Sequence, residues 1–198
     1  MFKVVDYHDT MMSHELTSEV WDIVYNPGVN IQYNFSNWLF GNGERSVRLF
    51  EEFAKQCNLT PRDITDYVFE HKECSFPKPY CVFSPAGSKS AKVYDHWQDV
   101  LNNLKEMVPE LTIVQFGLQN EKLYDKVIDA RGKSYAETMG AVKKCDFVLS
   151  VDSFIAHAAA ACVVPHVVLF GSTSANTCAP VSTRNGLQVL IETTDRHG

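Results

Sequence analysis

Two polar clusters stand directly after apolar runs in the C-terminal third of the chain. Asp152-Ser153 follows Phe147–Val151, and Gly171-Ser172-Thr173 follows His166–Phe170. Hydroxyls and a glycine in such places suit an anion, because they bring O–H and backbone N–H donors close to it, and a helix starting there adds the positive end of its dipole. Similar clusters recur upstream. The loop Ser84-Pro85-Ala86-Gly87-Ser88-Lys89-Ser90-Ala91-Lys92 carries lysines, Gly117 and Glu121 follow the apolar run Thr112–Phe116, and Asp129 and Gly132 follow Val127-Ile128. Lysine neutralises phosphate charge, and a carboxylate accepts hydrogen bonds from the hydroxyls of a ribose or sugar. Brought to one rim, these residues describe a nucleotide-sugar pocket better than an apolar one.

The elements that must bring them together are legible as a rhythm. Tyr80–Phe83 reads as a strand. Trp97, Val100, Leu101, Leu104, Met107 and Val108 follow the i, i+3, i+4, i+7 spacing of an amphipathic helix. Thr112–Phe116 is the next strand, closed by Gly117, and a helical segment is expected from Glu121 to near Lys126. Val127-Ile128 is a brief strand, and Ser134–Cys145 is a helix with Ala136, Met139, Val142 and Cys145 inward. Phe147–Val151, the alanine-rich run Phe154–Cys162 and His166–Phe170 form a β-α-β unit, and Leu187–Ile191 is a last strand. Strands alternating with helices imply a parallel sheet, because parallel neighbours need a crossover. The unbroken apolar runs FVLSV and HVVLF imply burial on both faces. The expected fold is therefore a doubly wound, Rossmann-like α/β domain from about Tyr80 onward. Such a sheet binds ligands outside the carboxyl ends of its strands, where the polar clusters fall.

The rest of the chain reads less clearly. Phe2–Val5 and Trp21–Tyr25 are strand candidates, and Asn26-Pro27-Gly28 is a turn by composition. Val47, Phe50, Phe53, Ala54 and Cys57 mark one face of a helix over Glu44–Cys57, and Thr60-Pro61-Arg62-Asp63 starts another. The proline-containing stretch Cys74–Pro79 reads as a linker. It divides a short N-terminal extension or remnant lobe, residues 1–76, from a nucleotide-sugar-binding domain, residues 77–198. His8, Asp9, His14 and Glu15 invite a metal reading, but the two histidines are spaced for neither a helix face nor a short-range ligand pair, so no metal site is expected.

Composition narrows the class. A chain of 198 residues with 45% hydrophobic and 21% charged residues is an ordinary globular protein with a sizeable core. Its net charge of -6 gives no electrostatic footprint for nucleic acid or anionic lipid, so any phosphate is held locally. No run is long and apolar enough to span a bilayer, and the first residues hold no signal-peptide core. Cys57, Cys74, Cys81, Cys145, Cys162 and Cys178 are widely spaced without a CxxC pair, which suits reduced thiols in a cytoplasmic protein. Familiar phosphate and hydrolase motifs fail. No strand is followed by GxGxxG, no GxSxG elbow is present, and Gly132-Lys133-Ser134 lacks the upstream glycine of a P-loop, that position being Val127.

Three runs carry a family resemblance. Asp129-Ala-Arg-Gly-Lys-Ser-Tyr-Ala-Glu, Val151-Asp-Ser-Phe-Ile-Ala-His-Ala-Ala-Ala and Val168-Leu-Phe-Gly-Ser-Thr resemble the C-terminal half of family 9 glycosyltransferases, the heptosyltransferase family. Ser84-Pro85-Ala86-Gly87 with Lys92, and Gly117 with Glu121, resemble it in order and spacing. The resemblance implies the C-terminal, donor-binding domain of a GT-B enzyme. It would transfer a sugar with inversion from a nucleotide diphosphate, typically ADP-heptose, to a glycan or lipid acceptor, as in lipopolysaccharide biosynthesis. No cofactor is implied beyond that donor substrate. On this resemblance Lys92 neutralises diphosphate charge, with Ser153, Ser172 and Thr173 near the phosphates and Ser84, Gly87 and Gly171 among the donor-binding residues. Glu121 binds ribose or base, Met139 lines the base pocket, Asp152 meets sugar hydroxyls, and His157 braces the loop or faces the donor.

The residues also allow plainer roles. Asp152 suits the N-cap of the alanine-rich helix, His157 a hydrogen-bonded core histidine, Lys92 a solvated lysine and Met139 a core residue. Phe154 departs from the family, where glycine often follows the Asp-Ser/Thr pair. The N-terminal lobe is also short for the acceptor domain that supplies the general base, for which Asp6 and Asp9 are the nearest candidates. Two other readings stay open: a non-catalytic nucleotide-sugar-binding module that lost the acceptor domain and works through a partner chain, and a nucleotide-sugar epimerase.

Overall fold

The computed structural model describes residues 71–87, 92–181 and 187–192. The readings placed on residues 1–70, and on Ser88 and Lys89, lie outside them. Ten elements run in order: β1 (Tyr80–Ser84), α1 (Trp97–Met107), β2 (Thr112–Gln115), β3 (Ile128–Asp129), α2 (Tyr135–Lys144), β4 (Phe147–Val151), α3 (Phe154–Ala161), β5 (His166–Phe170), α4 (Ala175–Cys178) and β6 (Gln188–Glu192).

The strands form one six-stranded sheet in the order β3-β2-β1-β4-β5-β6, and every pairing is parallel. The chain builds outward from β1 to one edge, then returns beside β1 at β4 and builds to the other. The carboxyl ends of β1 and β4 therefore flank the point where the winding reverses, the crevice such sheets use for ligands. Registry places Ser84 opposite Ser150, so the loops after these two strands leave the sheet at nearly the same level.

Burial follows the two-residue period of β1. Tyr80 and Val82 face one side, packing with Val114, Met139, Val142, Val148, Ile155 and Ala159, whereas Cys81 and Phe83 face the other with Ile113, Leu149, Trp97 and Leu101. Helices α2 and α3 thus cover one face and α1 the other, as the unbroken apolar strands require. Phe83 and Trp97 meet edge to face at 5.1 Å, and both are fully buried. Each such side chain contributes about 1.5–3 kcal/mol by leaving water. Helix α2 starts with a capping box in which Ser134 and Glu137 exchange bonds, and this holds the Glu137 carboxyl down at about 2. The segment before β1 has neither helix nor strand from residue 71 to 79, and its Phe76 ring packs edge-on against Tyr80 and Phe116.

Three expectations are corrected. No helix runs from Glu121 to Lys126; the chain there is irregular, with a turn at Asp125-Lys126. The buried Gln115 side chain explains this, since it donates to the Lys122 carbonyl at 2.6 Å and accepts from the Tyr124 amide at 3.0 Å, binding backbone groups that a helix would have used itself. Met107 closes the apolar spacing of α1 but is 79% exposed, because Leu104 and Val108 on either side of it take the places against the core and leave it at the edge of the helix face. The N-cap of α3 is Ser153 and not Asp152, whose side chain turns to other elements.

Cys74, Cys81, Cys145, Cys162 and Cys178 are all free. Burial pushes the Cys81 and Cys145 thiols up to about 12 and Cys178 to about 11, so they stay protonated and pack as small apolar groups. Among the described residues no helix is long and apolar enough to cross a membrane, and no group of His, Cys, Asp or Glu is arranged to hold a metal.

Candidate functional site

Three strand-end loops converge on Asp152. Its carboxylate oxygen Oδ2 accepts from Lys92 Nζ at 2.7 Å and from the Thr173 hydroxyl at 2.7 Å. Lys92 Nζ also lies 3.3 Å from the Asp152 carbonyl. These residues follow β1, β4 and β5, so the contact ties together the loops on both sides of the winding reversal. The Lys92 and Asp152 side chains are only 15% and 9% exposed. A solvated lysine and a simple cap are therefore both displaced as readings: Lys92 is a partly buried cation with one N–H left for a further acceptor.

The loop after β1 is shaped for this approach. The indole of the buried Trp97 donates to the Pro85 carbonyl at 3.1 Å, which pins the loop to α1. A Cβ at Gly87 would lie 2.8 Å from Lys92 Cδ and 3.0 Å from the Asp152 carbonyl, so any side chain there would press on the pair, and glycine lets the β1 loop approach it closely. Ser84 is buried at the end of β1.

Helix α3 begins at the same rim. Ser153 makes no capping bond, and its buried Oγ has no partner, an arrangement that leaves the first amides of the helix and a hydroxyl available. His157, one turn on, is exposed and so is not a core histidine. Crowding by the surrounding protein lowers its pKa from the ordinary value, with Asp152 opposing and Lys92 and His166 reinforcing. Phe154, 41% exposed, turns along the rim to pack on Tyr135 at the start of α2, with ring centres 4.5 Å apart.

The loop after β2 forms a second wall. Glu121 folds back over Gly117, and its Oε2 is buried without a hydrogen-bond partner. Gly117 has φ 151, and a Cβ there would collide with the Glu121 carboxylate. Gly171 is half-buried and Ser172 exposed beside Thr173. Met139 is 1% exposed within the core between α2 and the sheet, so it presents no surface to the rim in this structure. Two contributors escaped the sequence reading: Trp97 as the anchor of the β1 loop, which its place in a helix stripe concealed, and Arg131 in the loop after β3. Arg131 had a signal, since it stands two residues after an aspartate at a strand end.

Residues 51–196 match the family described as glycosyltransferase family 9 (heptosyltransferase). The chain belongs to this family. The fold agrees with solved structures at low sequence identity. The iron-containing dodecameric glycosyltransferase TibC from enterotoxigenic E. coli H10407 superposes with a TM-score of 0.59 at 16% identity, over 74% of this chain and 40% of that one. A family 9 glycosyltransferase from Veillonella parvula DSM 2008 gives 0.56 at 17% over 83% and 56%. E. coli heptosyltransferase WaaC with ADP gives 0.54 at 18% over 74% and 51%. The chain thus spans 40% to 56% of the length of these proteins. No curated protein sequence matches it.

Proposed function

We propose that this family 9 chain binds a nucleotide-diphosphate sugar across the carboxyl ends of β1, β2, β4 and β5 and serves a heptosyltransferase-like sugar transfer. The observation that carries the reading is the Lys92–Asp152–Thr173 contact at the winding reversal, where a cation with a spare N–H lies beside the unpartnered Ser153 hydroxyl and the start of α3. The diphosphate takes the Lys92 donor and the α3 amides, Glu121 takes ribose hydroxyls, and Asp152 takes sugar hydroxyls as it exchanges with Lys92. That ADP is the nucleotide bound by WaaC supports an ADP-linked donor, and ADP-heptose is the first candidate.

The chemistry would be an inverting displacement. The acceptor oxygen bonds to the anomeric carbon as the bond from that carbon to the diphosphate oxygen breaks. The electron pair leaves on the diphosphate, stabilised by Lys92 and the helix dipole, and the acceptor proton passes to a carboxylate base. A glycan or lipid is the acceptor class, residues 77–198 are the donor domain, and the buried, protonated thiols suit a cytoplasmic setting.

One observation favours a second reading, a donor-binding module that is not itself catalytic. Asp152, the carboxylate at the winding reversal, is committed to Lys92 and Thr173, and Glu121 is assigned to the ribose; the candidates Asp6 and Asp9 lie outside the described residues. Calorimetry with ADP, UDP and GDP tests the shared pocket, with Lys92→Ala expected to abolish binding; no binding of any nucleotide by the wild type sinks both readings. Turnover of ADP-heptose by the chain alone then separates enzyme from module.

A further inference from the structure

The loop that carries Glu121 is held from outside itself, and the holder is Arg131. Asp129 ends β3, and its carboxylate accepts from the Arg131 backbone amide at 3.0 Å, from Nε at 2.9 Å and from Nη2 at 2.8 Å. The remaining arm of the guanidinium, Nη1, donates to the Glu121 carbonyl. One residue further, the Gly132 amide donates to the Gly117 carbonyl at 2.9 Å. The β3 loop therefore grips both ends of the Gly117–Glu121 turn. This grip replaces the helical hydrogen bonds that the turn lacks.

The charges fit a bracket better than a ligand-binding cation. Asp129 is held down at about 2, chiefly by its bonds from Arg131, so the pair stays ionised across the ordinary pH range. The Arg131 side chain is 11% exposed, and Nε, Nη1 and Nη2 are each engaged. A planar fork can hold a carboxylate with one side and a carbonyl with the other, which a lysine ammonium cannot do with the same geometry. What the bracket leaves free is the Glu121 carboxylate, whose Oε2 is buried without a partner. An unpartnered buried carboxylate oxygen is unfavourable unless a donor arrives.

We propose that Arg131 is a positioning residue that fixes the Glu121 backbone at the rim, so that the Glu121 carboxylate meets the ribose hydroxyls of the bound nucleotide. This rests on the nucleotide-sugar reading. The residue itself touches no ligand, and its effect is confined to the ribose end of the pocket, away from Lys92.

The test uses calorimetry with three probes: the tightest-binding of ADP, UDP and GDP, its dideoxyribose analogue, and inorganic pyrophosphate. The wild type should prefer the ribose form over the dideoxyribose form by about tenfold, the worth of one hydrogen bond to a charged group. Glu121→Ala and Arg131→Ala should each erase that preference while pyrophosphate affinity stays near the wild-type value, and Arg131→Lys should restore only part of it. Full preference retained by Arg131→Ala overturns the proposal and leaves nucleotide binding standing, whereas a wild type that binds no nucleotide removes both. If Arg131→Ala loses its native circular dichroism, Asp129→Asn, which loosens the bracket without removing the arginine, is judged by the same criteria.

Discussion

Replacing Asp152 by asparagine should make the protein less stable and yet bind diphosphate more tightly. The exchange keeps the shape and a carbonyl oxygen for Lys92 and Thr173, but removes the negative charge between them. Unit charges about 4 Å apart attract by about 4 kcal/mol at an effective dielectric of about 20. The observed Nζ to Oδ2 distance of 2.7 Å, with side chains 15% and 9% exposed, places the pair near the buried limit. Breaking a buried pair by removing one partner typically destabilises by about 3–5 kcal/mol. Because asparagine retains an acceptor and the rim still admits some water, the expected loss is about 2–3 kcal/mol, just below that range. The ammonium then lacks its counter-ion, so pyrophosphate should bind about tenfold more tightly. Urea unfolding at neutral pH followed by circular dichroism, with an unchanged slope, reads the first effect; calorimetry with pyrophosphate reads the second. A stability within about 0.5 kcal/mol of wild type would mean the pair behaves as a surface pair. Weaker pyrophosphate binding would mean Lys92 does not face the diphosphate. Either result refutes the reasoning.

The same geometry yields two more expected outcomes. His157 and His166 both have pKa values lowered from 6.5, chiefly by desolvation, and His166 points a buried Nε2 at no partner. Between the lowered folded values and 6.5 the unfolded chain binds more protons. Stability should therefore be full above that range and fall as the pH drops through it, and His157→Gln should remove part of the slope. Urea midpoints measured from about pH 5 to about pH 8 check this, and a midpoint that rises on acidification would contradict it. Gly117→Ala forces a side chain into both a φ of 151 and the space of the Glu121 carboxylate, and should destabilise by about 1–3 kcal/mol. It should also weaken nucleoside diphosphate binding relative to pyrophosphate; a variant with unchanged stability and selectivity would show that Glu121 does not need this seat.

Much of the fold could be read from local pattern. FVLSV and HVVLF became β4 and β5 with the expected bounds, because a strand covered on both faces is apolar at nearly every position, and the period of α1 placed Trp97 and Leu101 inward. The failures share a physical cause. The expected helix at Glu121–Lys126 was lost to the Gln115 side chain, which comes from a neighbouring strand and takes the backbone groups a helix needs. Local propensity contains no term for such a competitor.

The sequence by itself determined an alternation of strands and helices, and with it the fact that Lys92, Glu121, Asp152 and Thr173 all stand at strand ends on one side of a sheet. It did so because the two-residue and 3.6-residue periods are properties of the backbone and survive without knowledge of neighbours. Only the tertiary structure decided which of these residues touch. The order β3-β2-β1-β4-β5-β6 sets β1 beside β4, and from that adjacency come the Lys92–Asp152 pair across 60 residues of chain and the transfer of the α3 cap to Ser153, while the pairing of β2 with β3 brings the Arg131 bracket behind Glu121. Such contacts depend on strand order and register, which long-range packing selects and local pattern does not encode.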